Sequence, residues 1–258
     1  MESINQEAQA AIKTGWNSFA SSYDQYMHLF MLQAFTTLIV HSRVHTKKRI
    51  LEVACGSGMH SLYLAKTMLQ RGSALVCTDI SDEMIRLMKH KFDDPESDYT
   101  VIPGNKYDIK DEDLIPLGQQ TFDLEERIKI SSKDRFVLGC LANNECLPFK
   151  DGTFDCYISN LSLMIVTNHK NMLAEALRVS QQGATLAFTV WGRKQNMQIF
   201  EVLDTVLIKH DLKPNTPPKK TNYDLGKDPE GLKAEMLALG FANIRMWYQP
   251  MNFNFLDA

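Results

Sequence analysis

The feature that most constrains the fold is an apolar run that ends in a glycine-rich turn. Residues 49–54 read Arg-Ile-Leu-Glu-Val-Ala, which is typical of a short buried strand, and a tight turn that contains Gly56 and Gly58 follows at once. In residues 60–69, leucine and alanine recur at positions that can pack one face of a helix. The order strand, glycine turn, helix predicts the first unit of an open parallel sheet.

The same order repeats along most of the chain. A second predicted strand covers residues 74–78 and ends at Asp79, and Ser81 is placed to cap the next helix. Further strands are predicted at 136–141, 154–159, 185–190 and 244–247, and further helices at 170–179, 197–210 and 230–239. Strands that alternate with helices at this spacing predict an α/β fold, with a mostly parallel sheet covered by helices on both faces.

Three segments depart from this alternation of strands and helices. Residues 5–43 have helical periodicity throughout, with Trp16 expected in the core of an amphipathic helix. Residues 93–134 are polar and contain several prolines and glycines, so we expect an inserted subdomain, a lid or a partly disordered segment after the second strand-helix unit. After residues 244–247 little chain remains: either 251–255 form a short last strand or that strand is missing, and we favour a truncated or lost strand.

Composition narrows the function classes. The 28 basic and 31 acidic residues leave no cationic surplus for a phosphate backbone, so we expect no nucleic-acid partner. The five cysteines are scattered without a C-x-x-C pair, so we expect neither a disulfide framework nor a metal site. The N-terminus is unlike a secretory signal, and no clean apolar run of roughly 20 residues is present. We therefore expect a cytoplasmic protein with no membrane span.

The glycine turn also indicates the kind of ligand. Gly56 and Gly58 allow close backbone approach, but Ser61 stands where a G-x-G-x-x-G dinucleotide fingerprint has its third glycine. A pyrophosphate ligand and a nicotinamide dehydrogenase are therefore disfavoured. Asp79 follows Gly58 by 21 residues, where a carboxylate after a strand can accept hydrogen bonds from ribose hydroxyls. Together these residues predict a binding site for an unphosphorylated ribose.

Four runs in the same order carry a family resemblance: ILEVACGSG, CTDISDEMI, NNECLPFKDGTFD and LAEALRVSQQGATLAFTVWG. They resemble the class I S-adenosylmethionine-dependent methyltransferases, in particular the small-molecule branch that includes the ubiquinone/menaquinone-biosynthesis C-methyltransferases. The resemblance implies a Rossmann-like domain over residues 46–258, an N-terminal helical lid over 1–45, and S-adenosylmethionine as cofactor. It implies methyl transfer to a small, partly apolar acceptor. The alternative is a non-catalytic subunit or assembly factor that binds a partner protein through the 93–134 insertion.

The resemblance also implies roles for individual residues. Those expected to bind the cofactor are Tyr23, Glu52, Ala54, Gly56, Gly58, Asp79, Ile80, Met84, Asn143, Asn144 and Asn160. Ala54 stands where the family usually has glycine, and Asn143 replaces an acid that accepts a hydrogen bond from the adenine amino group. Phe19 and Tyr23 are expected to close over the site.

On the acceptor side the sequence is less informative. We expect Met164 and Ile165 to line an apolar acceptor pocket. Methyl transfer needs a base only if the acceptor must lose a proton, and the weak candidates for that role are Tyr23, His60 and His169. No catalytic residue is assigned.

Overall fold

The computed structural model describes residues 5–92, 100–101, 123–129, 134–196, 198–212, 214 and 221–252. The chain begins with α1 (Gln6–Ser22), a π-helix (Tyr23–Met27) and α2 (His28–His41), as the helical periodicity predicts. The remaining helices and strands are β1 (Arg49–Val53), α3 (Met59–Thr67), β2 (Ser73–Asp79), α4 (Asp82–Phe92), β3 (Thr100–Val101), α5 (Leu124–Lys129), β4 (Arg135–Leu141), β5 (Phe154–Asn160), α6 (His169–Val179), β6 (Ser180–Thr189), α7 (Gln198–Lys209) and α8 (Pro229–Leu239).

The described strands form one sheet in the order β3-β4-β2-β1-β5-β6. Every neighbouring pair is parallel. From β1 the chain first builds the sheet toward β2 and β4, and later strands extend it on the other side through β5 and β6. The order therefore reverses between β1 and β5, and in open α/β sheets ligands bind at such a switch point, beyond the carboxyl ends of the strands.

The alternation of side chains along the central strands separates two hydrophobic cores. Ile50 of β1 and Leu75 of β2 face the core formed with α2, α3 and α4. Leu51 of β1 and Val76 of β2 face the opposite core, which α5, α6 and α8 cover. Because successive residues of a strand point to opposite faces, an uninterrupted apolar run fills both cores. The expected α/β sheet with helices on both faces is confirmed.

The expected strand at residues 244–247 is wrong. Residues 241–252 have no regular secondary structure. Ile244 and Met246 pack against the core under α6 and α8, but they make this contact without pairing to a strand. Of the alternative last strand at 251–255, Met251 and Asn252 are not in a strand, and the other residues lie outside the described ones.

Part of the segment 93–134 belongs to the sheet and to the hydrophobic core. Its residues Thr100 and Val101 form the edge strand β3, which pairs with β4. Leu124 of α5 is buried in the core, and Arg49 Nη2 donates a hydrogen bond of 3.0 Å to Glu125 Oε2. The sequence prediction of a segment without regular elements missed both β3 and α5. The proposed docking role of the insertion falls mostly on residues outside the described ones.

Among the described helices, none combines the length and the apolar character needed to cross a membrane. All five cysteines are free, and four of them are buried.

Candidate active site

The glycine turn follows β1 at the switch point of the sheet, and its backbone is unusual. Ala54, Gly56 and Gly58 all have positive φ, at 50°, 58° and 78°. A Cβ atom at position 58 would lie 2.6 Å from Cβ of Met88 in α4, so only glycine fits there. Ala54 adopts the left-handed conformation with a side chain, which costs about 1–2 kcal/mol relative to a right-handed one. The departure from the family's glycine is therefore tolerated with strain.

Asp79 holds the turn in place. Its Oδ2 accepts a hydrogen bond from the amide of Gly56, and its Oδ1 accepts one from the amide of Ser81, both at 2.9 Å. Burial raises the pKa of the Asp79 carboxyl to about 6, although the backbone donors act in the opposite direction. Each carboxylate oxygen can accept more than one hydrogen bond, so Asp79 keeps capacity for ribose hydroxyls.

Glu52 lies beneath the turn rather than at its surface. Its side chain is buried on β1, and the Cys77 thiol donates to its Oε2 at 3.8 Å. Burial raises the pKa of the Glu52 carboxyl to about 8, so this group is mostly protonated at neutral pH. In this position Glu52 supports the turn, and its contact with the cofactor stays a prediction.

The loop after β4 provides polar atoms next to Asp79. The amide of Ala142 donates to the main-chain oxygen of Asp79 at 2.9 Å. Asn143 Oδ1, the expected acceptor for adenine, already accepts the amide of Glu145 at 2.9 Å. Asn143 Nδ2 and Asn144 Oδ1 are buried and have no hydrogen-bond partner among the described residues. A buried polar atom without a partner is costly, so this loop suits a ligand with polar edges such as a purine.

Ile80 and Met84, which follow Asp79 in the sequence, differ in their exposure to solvent. Ile80 is half-buried beside the carboxylate. Met84 is fully buried in α4, and its amide donates to Ser81 Oγ at 3.1 Å, which caps the helix as predicted. Ile80 is therefore the better placed of the two to contact an adenine ring.

Tyr23 of the π-helix covers the glycine turn. Its Cε1 atom lies 3.2 Å from the position that a Cβ of Gly56 would take. Burial and then the nearby Asp79 raise the pKa of the Tyr23 hydroxyl well above its usual value, so the phenol stays protonated and is unsuited to act as a base at neutral pH. Tyr23 is thus placed to cover a ligand.

Two further aromatic rings surround Tyr23. The ring centroids of Trp16 and Phe19 lie 6.0 and 6.3 Å from that of Tyr23. Phe19 is 42% exposed and its ring is inclined by 71° to that of Tyr23, so it flanks Tyr23 on the solvent side instead of entering the site. Trp16 is half-buried and belongs to neither core, which corrects its expected core position.

Both candidate histidines have structural partners. His60 Nε2 lies 2.8 Å from the main-chain oxygen of His28, and its ring stacks on Phe35 with centroids 5.0 Å apart. Burial lowers the pKa of His60. His169 Nε2 lies 2.7 Å from Glu235 Oε2 of α8. These contacts tie helices together, so we withdraw His60 and His169 as catalytic bases.

A third apolar cluster lies at the carboxyl ends of β5 and β6, and we call it the methionine-rich cluster. Its buried residues are Met31, Ala34, Leu161 and Met164; the half-buried residues packed against them are Tyr23, Met27, Phe30, Ile165, Val190, Trp191, Leu225 and Met251. Met164 and Ile165 are here, as expected. Sequence reasoning missed Met27, Met31, Trp191 and Met251, and only the spacing of Met27 and Met31 by four residues gives a helical signal.

Asn160 joins the elements around this cluster. Thr189 Oγ1 of β6 donates to Asn160 Oδ1 at 2.7 Å, and Asn160 Nδ2 donates to the main-chain oxygen of Met31 at 3.4 Å. The side chain therefore links β5, β6 and α2 between the cluster and the sheet. This position is compatible with the expected place along the methyl-transfer path, but its amide is committed to protein partners.

Comparisons with known proteins agree with this geometry. A family model described as a methyltransferase domain matches residues 51–188. The ubiquinone/menaquinone biosynthesis C-methyltransferase of Serratia proteamaculans is 24% identical over 257 residues, which are 92% of this chain and 85% of that protein. The corresponding enzyme of Rickettsia bellii is 26% identical over 178 residues, with 67% and 57% covered.

Other similarities are more limited in coverage or identity. An uncharacterized protein of Mycobacterium tuberculosis is 26% identical over 143 residues, and the chain spans 37% of its length. Among solved structures, a SAM-dependent methyltransferase of Aquifex aeolicus is 14% identical, with a TM-score of 0.46 over 78% of this chain and 77% of that chain. The family match itself extends from β1 to β6 and includes the glycine turn and Asp79. The chain therefore belongs to the methyltransferase domain family, within the class I S-adenosylmethionine-dependent methyltransferases, and S-adenosylmethionine is its expected cofactor.

Proposed function

We propose that the chain transfers a methyl group from S-adenosylmethionine to a small, partly apolar acceptor. The observation that carries this proposal is the position of the methionine-rich cluster. Tyr23 contacts both the glycine turn and this cluster. An acceptor held among these side chains would therefore meet a cofactor held at the turn, because one aromatic ring borders both sites.

The fit of the cofactor rests on atoms that are placed to receive it. Gly56 has no side chain between its backbone and Tyr23, and the Asp79 carboxylate retains acceptor capacity. The buried polar atoms of Asn143 and Asn144 have no partner among the described residues. When bound, the cofactor supplies a methyl group activated by a positively charged sulfur.

The chain's own contribution is orientation and exclusion of water. In this proposal residues 1–45 form a lid, in which Tyr23 covers the turn, and the methionine-rich cluster surrounds the acceptor with apolar side chains. Alignment of the reacting groups in a dry site can account for much of the acceleration of a displacement. Because His60 and His169 are committed to structural partners, we expect the acceptor to release its proton to solvent or to arrive ionised.

Calorimetry with S-adenosylmethionine and S-adenosylhomocysteine tests cofactor binding. Formation of S-adenosylhomocysteine in the presence of alkylphenols and alkylhydroquinones tests turnover. We expect binding of both forms of the cofactor and product formation with apolar acceptors. Cofactor binding without turnover across polar and apolar acceptors, or no cofactor binding, would instead favour the non-catalytic subunit.

A further inference from the structure

The segment after α8 runs outside the sheet and is held by contacts at several points; we call residues 246–252 the C-terminal strap. The Tyr248 hydroxyl donates to the main-chain oxygen of Gly226 at 2.9 Å. The Arg193 guanidinium lies 4.6 Å from the centroid of the Tyr248 ring. These contacts fix the strap against the loops that follow β6 and precede α8.

A second group of contacts joins the strap to α2. The side-chain amide of Gln33 pairs with the backbone of Asn252: Nε2 donates to the main-chain oxygen at 2.6 Å, and Oε1 accepts from the amide at 3.0 Å. One turn further along α2, Thr37 Oγ1 accepts a hydrogen bond of 2.7 Å from Gln249 Nε2. Trp247 packs on His41 with ring centroids 4.7 Å apart. The strap thus lies along α2.

The strap contributes a single side chain to the methionine-rich cluster, that of Met251. Met246, five residues earlier, packs against the core under α6 and α8 instead. Tyr23 marks the cofactor end of the cluster, and Gln33 lies ten residues later. At the α-helical rise of about 1.5 Å per residue this separation is at most roughly 15 Å, and because Gln33 bonds the residue next to Met251, it favours a place for Met251 at the end of the cluster far from the glycine turn.

We propose that Met251 is a specificity-determining residue that limits the length of an apolar acceptor, and that Gln33 is the positioning residue that holds it there. This inference rests on the proposed function. The Met251 side chain is half-buried and flexible, so it can pack against the end of a short acceptor and block a longer one. A smaller side chain at this position leaves space for the longer acceptor. The paired hydrogen bonds of Gln33 fix the backbone next to it.

The test uses the full chain and 4-alkylphenols from methyl to decyl, with affinity measured by calorimetry in the presence of S-adenosylhomocysteine. We expect the affinity of the unmodified chain to rise with alkyl length up to a limit. Met251→Ala should move that limit to longer chains and raise affinity at least fivefold for the first phenol beyond it. The affinity for S-adenosylhomocysteine should stay within twofold. Met246→Ala is the matched control and should leave the limit unchanged.

Gln33→Glu tests the positioning role without removing side-chain volume. A carboxylate cannot donate to the main-chain oxygen of Asn252, so one of the two hydrogen bonds becomes a repulsive contact. We expect the same displacement of the length limit as for Met251→Ala. Gln6→Glu, at an exposed position of α1, is the isosteric control and should have no effect.

The outcomes separate the two proposals. If the unmodified chain does not bind S-adenosylhomocysteine, the proposed function fails. If it binds this product but binds no alkylphenol, or if Met251→Ala and Met246→Ala show the same length limit as the unmodified chain, the role of Met251 is overturned. An altered limit in Met251→Ala but not in Gln33→Glu would overturn the positioning role of Gln33.

Discussion

The strained backbone at Ala54 can be tested by removing its side chain. Ala54 has a φ of 50°, a conformation that costs about 1–2 kcal/mol for an L-residue and nothing for glycine. Glycine also loses more entropy on folding, by roughly 0.5–1 kcal/mol. We therefore expect Ala54→Gly to raise the free energy of unfolding by about 0.5–1 kcal/mol, as measured in urea.

The matched control for Ala54→Gly is Ala10→Gly within α1. Here the entropy cost of glycine acts without relief of strain, so this variant should lower the free energy of unfolding by about 0.5–1 kcal/mol. Two variants that change stability in the same direction would contradict the assignment of strain to Ala54.

Asp79 combines a structural and a binding role, and a second aspartate allows the two to be separated. Asp155 likewise accepts hydrogen bonds from two backbone amides, those of Lys48 at 2.8 Å and Arg49 at 2.9 Å. It lies near the amino end of β5, at the end of the strands opposite to the glycine turn. In Asp79→Asn and Asp155→Asn an amide nitrogen replaces one accepting oxygen, so each variant loses one hydrogen bond from a backbone amide.

Only Asp79→Asn should weaken cofactor binding. We expect a loss of about 1.5–3 kcal/mol in the calorimetric binding free energy of S-adenosylmethionine, since two charge-assisted bonds to ribose are weakened. Equal losses of affinity in Asp79→Asn and Asp155→Asn would show that Asp79 acts on binding only through stability.

The N-terminal helices are docked on α4 by polar contacts close to Asp79. Asn17 Nδ2 donates to Asp82 Oδ1 at 2.9 Å, and Ser81 Oγ donates to Asn17 Oδ1 at 2.6 Å. Lys91 forms an ion pair of 2.7 Å with Asp24 of the π-helix. Since these contacts are polar and α1 contributes no residue to either core, the docking of α1 and the π-helix should be easier to perturb than the packing of the two cores.

Asn17→Ala should therefore loosen the proposed lid without unfolding the sheet. We expect faster hydrogen exchange over residues 10–27 and an affinity for S-adenosylmethionine reduced severalfold, with the melting temperature lowered by only a few degrees. Cofactor binding should slow exchange over residues 10–30 in the unmodified chain. Ser18→Ala, which removes only a local bond to the Thr14 carbonyl, should match the unmodified chain. Unchanged exchange in Asn17→Ala would contradict a lid held at this point.

Elements with a strong local pattern could be predicted from the sequence, and elements defined by their partners could not. Strands β1, β2, β4 and β5 are apolar runs bounded by turns, and their predicted limits agree with the structure to within one residue at either end. The two residues of β3 carry no such pattern. Residues 244–247 alternate like a strand but pack on helices, because a period of two specifies an extended chain and not its pairing.

The residues of the candidate site likewise fall into a group that local sequence patterns predict and a group that they do not. The glycine turn and Asp79 lie within one strand-turn-helix unit and the following strand, so their proximity follows from local order. The methionine-rich cluster collects Met31 from α2, Met164 from the loop after β5 and Met251 from the strap. Contacts between such distant parts of the chain depend on tertiary packing, and no spacing in the sequence reveals them.

At the scale of the whole molecule, the sheet that separates the two hydrophobic cores has a buried acid, Glu52, in its central strand β1. Glu52 of β1 is buried between its neighbours in β2 and β5, Cys77 and Ile158. Burial raises the pKa of the Glu52 carboxyl to about 8, against 4.5 in an unfolded chain. The folded state thus holds a proton that the unfolded state has released, and the stability of the entire domain falls as pH rises between these values.

The clearest window for this effect is pH 6.5–8. Below this window two other groups contribute. Burial lowers the pKa of His60, so this group makes the free energy of unfolding rise with pH, and the Asp79 carboxyl titrates near pH 6. Within the window, the free energy of unfolding should fall by about 1.5 kcal/mol, since each pH unit contributes at most about 1.4 kcal/mol per proton and the folded carboxyl is already partly ionised near pH 8. Glu52→Gln keeps the shape but has no proton to lose, so its stability in urea should be nearly constant over this range and exceed that of the unmodified chain at pH 8. Glu126→Gln, on the exposed face of α5, should retain the slope of the unmodified chain. Parallel slopes for the unmodified chain and Glu52→Gln would mean that Glu52 is ionised in the folded protein and that another group sets the pH dependence.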